Sequence, residues 1–330
     1  MKVLLTGAFG NLGTSCILEL ANRDYEIRIF DIKSKTTKRR YKYYKKNPKL
    51  EVFWGDITDK RSITNALNGI DVVIHTAAII PPASEKNEDL TKRVNIEGTK
   101  NLIEVVEGHT NVKQFIFASS VSVHGNQKPS NPPVKTTDPF KPTDNYTRTK
   151  VACEELLRQS KLQWTIVRFG AILAVETRGQ AQGGLDEYTL QMLFGIPLEQ
   201  KIEVIHSHDA GLALVNAINN SQAYNKVFFA GGGAELGCQL NQKEFIFETL
   251  QVMGIKNIPE NLFKQPQTDE DWYYTHWMDT AKSQEVLQYQ RKSYSEYLIE
   301  SKPRKVNRVL FFFMGSIIKR ILMNKSPYKH

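Results

Sequence analysis

The chain has 330 residues and a formal net charge of +9, with 41% hydrophobic and 24% charged residues. This composition is typical of a globular protein with a sizeable core and argues against a disordered chain. Three widely spaced cysteines, Cys16, Cys153 and Cys238, offer neither a disulfide framework nor metal-ligand spacing, which favours a reducing compartment. Neither a signal peptide nor an apolar span of about 20 residues is predicted, so we expect a cytoplasmic protein.

The positive charge is concentrated in two segments. Eight basic residues and no acidic residue lie between Lys33 and Lys46, and residues 302–329 are also basic and free of acid. The remainder is nearly neutral, which argues against a nucleic-acid groove across the fold. The first segment is predicted as a solvated loop between the second and third strands. A patch for nucleic acid or anionic lipid is the alternative.

The first half of the chain alternates between apolar runs and helical spacing. Strands are predicted at residues 3–5, 26–31, 50–56, 71–78, 113–120 and 163–169. Helices are predicted at residues 12–22, 58–67, 87–107 and 146–160. Strands separated by helices imply βαβ units. The prediction is therefore an α/β fold with a Rossmann-type, doubly wound parallel sheet.

The alternation of predicted strands and helices becomes less regular after about residue 170. Helices at residues 209–219 and 242–253 and a strand at 226–230 are predicted there. We therefore expect a Rossmann domain over residues 1–170 and a smaller substrate-binding lobe over 171–303, with some return to the sheet. Residues 304–330 form a basic, amphipathic C-terminal tail in this interpretation.

A glycine-rich turn follows the first strand in the stretch TGAFGNLG. Gly7, Gly10 and Gly13 have the spacing G-x-x-G-x-x-G. Such glycines permit a tight turn, a close approach of the backbone to a pyrophosphate, and close packing of helix on strand. Phe9, Asn11 and Leu12 complete the predicted cofactor-binding loop.

Asp31 ends the second strand, 18 residues after Gly13. A carboxylate at this position accepts hydrogen bonds from the adenosine ribose and repels a 2′-phosphate. The pattern therefore predicts NAD as cofactor and disfavours NADP, although the basic run that starts at Lys33 offsets part of this repulsion. A glycine loop with a capping Asp is the alternative.

Tyr146 and Lys150 form the pattern Y-x-x-x-K on a predicted helix after the fifth strand. Together with the glycine motif, this pattern resembles the extended short-chain dehydrogenase/reductases, and in particular the NAD-dependent epimerase/dehydratase family, from residue 2 to about 297. The segments GDITD, HTAA, VNIEGT and SSVSVHG match that family. The resemblance implies that Lys150 also bonds the nicotinamide ribose. It further implies cofactor contacts at Asp56, Ile57, Thr76, Ala77 and Ala78, and catalytic roles for Ser120 and Asn95.

The chemistry of this set follows from its residue types. A tyrosine phenolate can accept the proton of an alcohol, but free tyrosine has a pKa of about 10. Lys150, one helical turn from Tyr146, is expected to lower that pKa. Ser120 would stabilise the charge that develops on the substrate oxygen. Asn95 either orders the lysine or a water beside it, or packs its helix.

Two departures from the family narrow the expected reaction. Val121 and Ser122 stand where sugar dehydratases carry an Asp-Glu pair, and Ala171 stands where nucleotide-sugar epimerases carry Asn. We therefore expect an oxidoreductase that interconverts a secondary alcohol and a ketone on a small, weakly polar substrate. An NAD-dependent nucleotide-sugar epimerase and a non-catalytic, cofactor-bound scaffold are the alternatives.

Two further features concern metals and partners. His206, His208 and Asp209 are not expected to bind metal, because Asp209 is predicted to cap a helix or tie down a loop.

A homodimer is expected by analogy with the family, and no nucleic-acid partner is expected. In the tail, one helical face is apolar, which predicts either peripheral membrane contact or packing on the protein. That face carries Val306, Leu310, Phe313, Ile317 and Ile321.

Overall fold

The structure, a computed structural model, describes residues 1–109, 111–174, 187–252, 254–302, 315 and 318–328. Its strands are β1 (Lys2–Thr6), β2 (Glu26–Asp31), β3 (Leu50–Trp54), β4 (Val72–His75), β5 (Gln114–Ser120), β6 (Trp164–Phe169), β7 (Ala171–Leu173), β8 (Lys201–His206), β9 (Lys226–Ala230) and β10 (Gln239–Asn241). Its α-helices are α1 (Asn11–Ala21), α2 (Lys35–Tyr44), α3 (Lys60–Ala66), α4 (Ala83–Lys86), α5 (Glu88–Lys92), α6 (Gly98–Glu107), α7 (Asn145–Gln159), α8 (Glu187–Gly195), α9 (Ser207–Asn216), α10 (Gln242–Val252), α11 (Ala281–Leu287) and α12 (Tyr294–Glu300).

Seven strands form one parallel sheet in the order β3-β2-β1-β4-β5-β6-β9. The chain winds outward from β1 in both directions, which is the doubly wound arrangement, and the predicted fold class is confirmed. In such sheets a crevice opens at the carboxyl ends of the strands where the winding reverses, here between β1 and β4. A smaller sheet has the order β10-β8-β7.

The large sheet is buried on both faces, as its apolar strands predict. Val3 and Leu5 of β1 face a cluster that includes Leu20 of α1 and Leu214 of α9. Leu4 faces the opposite side, where α3, α6 and α7 pack. Because successive side chains of a strand point to opposite faces, one short strand connects the two halves of the core.

The basic segment that was predicted as a loop is instead helical. Ser34 caps α2 through a reciprocal pair of hydrogen bonds with Thr37. The helix turns Tyr44 into the core, and the Tyr41 and Tyr44 rings pack on Phe9 of the glycine turn at 6.3 and 6.4 Å between centroids. The loop prediction was wrong because charged side chains on the outer face concealed an inward face with helical spacing.

A second apolar cluster lies among α8, α10 and the segment 255–263, and Leu322 from the tail is buried in it. The predicted tail positions Val306, Leu310, Phe313 and Ile317 lie outside the described residues. Ile321 is 39% exposed, whereas Leu322 is 1% exposed. The part of the tail that is described therefore packs on the protein. No helix within the described ranges is long and apolar enough to cross a bilayer.

Candidate active site

The glycine turn lies at the carboxyl end of β1, beside the crevice. Gly7 has a φ of +64°, and a Cβ added there would lie 2.5 Å from the Cα of Ala77. A Cβ on Gly13 would lie 2.4 Å from the Gly7 carbonyl oxygen. At Gly10 the nearest atom would be that same oxygen, at 3.2 Å. Packing within the turn therefore requires glycine at positions 7 and 13. At Gly10, the absence of a side chain leaves open space next to the turn.

The amino end of α1 is suited to an anion. Its N-cap, Gly10, provides no side-chain hydrogen bond, and the first turn contains no acidic residue. The Asn11 side-chain oxygen is buried and has no hydrogen-bond partner among the described residues. Backbone N–H groups at such an end lack intrahelical partners and carry partial positive charge, which attracts phosphate groups.

Asp31 lies next to this turn. Its carboxylate accepts hydrogen bonds from the Phe9 amide at 3.0 Å and the Ile32 amide at 2.8 Å. Burial raises the pKa of Asp31, and these two hydrogen bonds offset only part of the shift. Arg40 of α2 donates to the Phe9 carbonyl and so holds the other side of the turn. The carboxylate is thus fixed at the end of β2, where the sequence predicts the adenosine ribose.

The other predicted adenosine contacts follow β3. Asp56 is exposed, and its carboxylate accepts from the amide and the hydroxyl of Thr58, each at 2.9 Å. Ile57 is buried against α6, where a Cβ on Gly98 would lie 2.6 Å from its side chain. Both residues are fixed by local contacts at the carboxyl edge of the sheet.

The loop after β4 is held by Asn95. The Asn95 amide accepts from the Ile79 N–H at 2.7 Å, and it donates to the Ile79 carbonyl at 2.9 Å and to the Thr149 hydroxyl at 3.1 Å. Asn95 lies in a π-helical turn, Arg93–Glu97, between α5 and α6. Thr76 donates to the Thr6 carbonyl at 2.7 Å, which fixes the start of the same loop, including Ala77 and Ala78. These contacts give Asn95 a packing role, and Lys150 is not among its hydrogen-bond partners.

Lys150 and Tyr146 lie one turn apart on α7. The Lys150 ammonium donates to the Ala118 carbonyl at 2.7 Å and lies 4.7 Å from the Phe117 ring and 5.6 Å from the Tyr146 ring. Burial lowers the pKa of Lys150 to about 8.

The pKa of Tyr146 does not shift in the predicted direction. Burial raises this pKa, and so do Tyr274 and Asp144. Lys150 is not among the groups that shift this pKa, and its ammonium donates instead to the Ala118 carbonyl. A lower pKa would require a reorganisation of the site when ligands bind.

Ser120 ends β5 and caps the 3-10 turn Val121–His124. Its hydroxyl oxygen accepts from the Ser122 amide at 3.2 Å and from the Ser122 hydroxyl at 2.7 Å. Since Ser120 uses its oxygen as acceptor, its proton is available to donate to a substrate oxygen. Ser120, Tyr146 and Lys150 are thus arranged on β5 and α7.

Two acidic residues close to the candidate site were not identified from the sequence. Glu85 of α4 accepts from the amides of Asn145 and Tyr146 at 3.1 and 3.2 Å, so it holds the first turn of α7. Glu154, four residues after Lys150, is buried and accepts from the Ser119 hydroxyl at 2.7 Å. The position of Glu154 on the inner face of a predicted helix is a signal that could have identified it.

Tyr274, from the second half of the chain, lies near Tyr146, and Tyr273 packs against Tyr274. The Tyr273 and Tyr274 rings have centroids 3.9 Å apart, and their hydroxyls are 2.5 Å apart. The Tyr273 amide donates to the buried Gln200 side chain at 2.7 Å, and its carbonyl accepts from Gln127 at 3.0 Å. The pair therefore sits beside the segment that follows Ser120. The sequence carried no pattern for this long-range approach.

The histidine-rich turn at β8 serves the fold. The Asp209 carboxylate accepts from the Arg291 and Lys292 amides at 2.9 and 2.8 Å, so it ties down a loop as one of the two predictions states. His206 lies 3.1 Å from Glu300. In the part of the chain that the structure describes, no group of three or more His, Cys, Asp or Glu residues is arranged to hold a metal ion.

Comparison with known proteins places these residues in a family. Residues 4–174, just over half of the chain, match the model of the 3-beta hydroxysteroid dehydrogenase/isomerase family. The chain is 30% identical over 267 residues to the uncharacterized protein y4nG of Sinorhizobium fredii, a match that covers 78% of this chain and 62% of that protein. It is 33% identical over 162 residues to a 3-beta-hydroxysteroid dehydrogenase of Mycolicibacterium neoaurum, covering 47% and 42%.

The chain therefore matches less than two thirds of the length of either relative. Among solved structures, the UDP-glucuronic acid 4-epimerase of Bacillus cereus with UDP-glucuronic acid and NAD has a TM-score of 0.74 at 23% identity. That match covers 92% of this chain and 98% of the epimerase, and at this identity it supports the fold alone. Motifs, topology and family model agree: the chain belongs to the 3-beta hydroxysteroid dehydrogenase/isomerase family, within the extended short-chain dehydrogenase/reductases.

Proposed function

We propose that the protein is an NAD-dependent oxidoreductase that interconverts a secondary alcohol and a ketone on a small, weakly polar substrate. The proposal is carried by one juxtaposition. Ser120, Tyr146 and Lys150 occupy adjoining positions on β5 and α7, at the same edge of the sheet as the glycine turn. An acid–base pair with a neighbouring hydroxyl donor is what alcohol oxidation or ketone reduction requires.

The residues around the glycine turn fit NAD. The amino end of α1 lacks a side-chain cap and an acidic residue, and Gly10 leaves room for a pyrophosphate. Asp31 has carboxylate oxygens at the end of β2 for ribose hydroxyls, and its negative charge disfavours the 2′-phosphate of NADP. Asp56, Ile57 and the loop Thr76–Ala78 would complete the pocket. NAD, when bound, supplies the hydride acceptor.

The chain's own residues would then move the proton. Ser120 donates its hydroxyl hydrogen to the substrate oxygen and stabilises the charge that develops there. Tyr146 takes the alcohol proton during oxidation and returns it during reduction. Lys150, one turn from Tyr146, would favour its phenolate form once the ammonium turns from the Ala118 carbonyl toward the phenol. Asn95 would act by holding the loop after β4 in place, as its bonds to Ile79 indicate.

The surroundings favour a substrate of low polarity. The tilted Tyr273 and Tyr274 rings provide an aromatic surface with Tyr274 near Tyr146, and Ile80, on the loop after β4, is 57% exposed. Val121 and Ser122 provide no titratable group for loss of water, and Ala171 provides no amide for a diphosphate. The family model and the steroid dehydrogenase relative are consistent with this class of substrate.

A nucleotide-sugar epimerase is the second candidate, because epimerisation through a ketone needs the same acid–base pair of Tyr146 and Lys150. The two activities differ in their redox balance. An epimerase oxidises and reduces the same carbon, so it turns over without a net change in NADH. A dehydrogenase accumulates NADH in proportion to product.

The test is a screen of hydroxysteroids, flavanol-type ketones and nucleotide sugars for NADH formation or consumption, with product identification. We expect net NADH change on an apolar alcohol or ketone and its loss in Tyr146→Phe. Epimer formation from a nucleotide sugar without net NADH change would replace the proposed function by the second candidate. A Tyr146→Phe variant as active as the parent would exclude Tyr146 as the acid–base group. Absence of turnover by the parent on every substrate class would leave the scaffold role.

A further inference from the structure

Helix α2 carries its positive charges on one side only. At about 100° per residue, Lys35, Lys38, Arg39 and Lys42 lie on a single face, and Lys45 and Lys46 extend this face beyond the last turn. All six side chains are exposed. The opposite face holds Thr37, Arg40, Tyr41 and Tyr44, which contact the body of the protein. We call the six exposed residues the cationic stripe.

The lysine charges of the stripe are not neutralised by carboxylates of the described residues. Among the described residues, Lys35, Lys38, Lys42, Lys45 and Lys46 form no ion pair with a carboxylate. Some lysines elsewhere on the surface are paired, since Lys49, Lys60 and Lys92 each lie within 2.9 Å of a carboxylate oxygen. Like charges at this spacing repel one another. The stripe is therefore stabilised either by water or by an anionic partner outside the chain.

Uncharged side chains at the same surface suggest what the stripe contacts. Tyr43, which borders the stripe on α2, and Ile32, just before the Ser34 cap, are each 54% exposed. Tyrosine is favoured at membrane interfaces, where its ring meets acyl chains and its hydroxyl meets water. A helix with four to eight cations on one face is typical of segments that bind anionic lipid.

The position of α2 permits contact with a flat surface. The helix connects β2 to β3, and β3 is the edge strand of the large sheet. Its inner face is anchored by the ring contacts of Tyr41 and Tyr44 with Phe9, so the stripe is presented as a rigid row about 16 Å long. A row of this kind is complementary to a plane of phosphate headgroups.

We propose that α2 docks the protein on an anionic lipid surface, with the cationic stripe on the headgroups and with Tyr43 and Ile32 at the interface. This surface is separate from the predicted tail contact and does not depend on which substrate the active site takes. Docking would place the glycine turn, which Tyr41 and Arg40 contact directly, close to the membrane plane.

The test is co-sedimentation of the full-length protein with vesicles of phosphatidylcholine alone or with about 30% phosphatidylserine. The stripe variant carries Lys35→Gln, Lys38→Gln, Lys42→Gln and Lys45→Gln. The matched control removes the same charge through Lys113→Gln, Lys161→Gln, Lys226→Gln and Lys256→Gln, which are exposed lysines outside α2. Thermal unfolding of all three proteins verifies that each is folded.

We expect the parent and the control to bind the phosphatidylserine vesicles. The stripe variant should bind them at least about tenfold more weakly. Raising the salt from about 0.05 M to about 0.5 M should release most of the parent. Equal binding by the parent and the stripe variant would overturn the proposal. So would a parent that ignores these vesicles but binds duplex DNA through the stripe, because that outcome assigns the surface to nucleic acid.

Discussion

Glu154 and Arg168 form a fully buried, two-pronged ion pair beneath the candidate active site. The guanidinium Nε and Nη2 lie 2.8 and 2.7 Å from the two carboxylate oxygens. Arg168 also donates to His124 Nε2 and the Thr136 carbonyl, each at 2.9 Å. Because Arg168 can only donate, His124 accepts through Nε2 and is held neutral, and burial lowers its pKa. The pair therefore joins α7 to β6 and to the turn after Ser120.

Breaking this pair from one side should strongly destabilise the protein. Arg168→Met leaves the buried Glu154 carboxylate with only the partly exposed Arg158, at 3.4 Å, and the Ser119 hydroxyl, so we expect the free energy of unfolding in urea to fall by about 3–5 kcal/mol. Lys282→Met, in the exposed pair with Glu285, is the control and should change it by less than about 1 kcal/mol. If both variants lost a similar, small amount of unfolding free energy, the buried pair would not be a major source of stability.

The same pair gives a pH dependence. Burial raises the pKa of Glu154, but the hydrogen bonds and charge of Arg168 outweigh it, and the net shift is downward. The stabilisation is therefore present above the ordinary Glu pKa of about 4.3 and is lost as the pH falls through the lower folded value. Stability measured from neutral pH to strong acid should show this loss in the parent. A Glu154→Gln variant should show a smaller loss.

Lys150 is expected to reduce stability at neutral pH. Burial lowers its pKa to about 8 in the folded protein, whereas the unfolded value is about 10.4, so between these values the unfolded chain binds more protons and stability rises with pH. Lys150→Met should stabilise the cofactor-free protein at pH 7 by about 1–3 kcal/mol and flatten this rise, while abolishing turnover. Urea unfolding at several pH values measures both effects. An unchanged pH slope in Lys150→Met, relative to the exposed control Lys161→Met, would refute this assignment.

Two glycines of the turn should respond differently to alanine. At Gly13 the new Cβ would lie 2.4 Å from the Gly7 oxygen and 2.6 Å from the Ala8 Cα, both backbone atoms, so Gly13→Ala should lose about 1–3 kcal/mol of stability or more. At Gly10 the single close contact is 3.2 Å and φ is −74°, so Gly10→Ala should stay folded. Its NAD affinity, measured by NADH fluorescence, should fall about tenfold because the methyl group enters the pyrophosphate space. Undiminished NAD binding by Gly10→Ala would place the cofactor elsewhere.

Asp31 should set the preference between the two nicotinamide cofactors. Asp31→Asn keeps an acceptor for the Phe9 amide but removes the negative charge. We expect the ratio of the NADP Kd to the NAD Kd to fall about tenfold, since the repulsion of the 2′-phosphate is lost. Asp24→Asn, an exposed change in a pair with Lys49, should leave this ratio unaltered. An unchanged ratio in Asp31→Asn would show that the basic residues of α2 determine cofactor choice instead.

The end of the tail should stabilise the apolar cluster among α8, α10 and residues 255–263. Leu322 is 1% exposed and packs with Phe194, Leu262 and Phe263. Leu322→Ala should therefore lower the free energy of unfolding by about 2–5 kcal/mol, as is usual for a buried leucine. Ile321→Ala, at a residue that is 39% exposed, is the matched control and should have a much smaller effect. The opposite order of effects would favour a tail that uses the predicted face of Ile321.

The sequence predicted the sheet well because its strands are local apolar runs. The six predicted strands of the first half occupy the positions of β1 to β6, and Asn87 and Asp144 cap helices close to the predicted starts. The helix predicted over 87–107 is interrupted by the π-helical turn at Asn95. No periodicity indicates such a turn, because it depends on contacts with Ile79 and Thr149 that lie far apart in sequence.

The candidate site was less predictable than the fold. Motif spacing identified Ser120, Tyr146 and Lys150, but it could not show that Lys150 donates to the Ala118 carbonyl. The placement of Tyr274 near Tyr146 depends on a loop that Gln200, just before β8, holds by a hydrogen bond to the Tyr273 amide, and such long-range pairing leaves no local signal. Helix α2 did carry a signal, since Ser34 and Thr37 have capping-box spacing, but the surrounding charges suggested a loop.

The two helix ends that face the crevice differ in electrostatic character. The start of α7 is already closed to anions, because Asp144 accepts from the Thr147 amide and Glu85 accepts from the Tyr146 amide. The first turn of α1 contains no acidic residue, and in the turn before it the Asp31 carboxylate bonds only the Phe9 amide. Within the described residues, the amino end of α1 therefore favours a negatively charged group, whereas the amino end of α7 disfavours one. A molecule with phosphates at one end only therefore has a single favourable orientation, which aims its neutral end at the tyrosine.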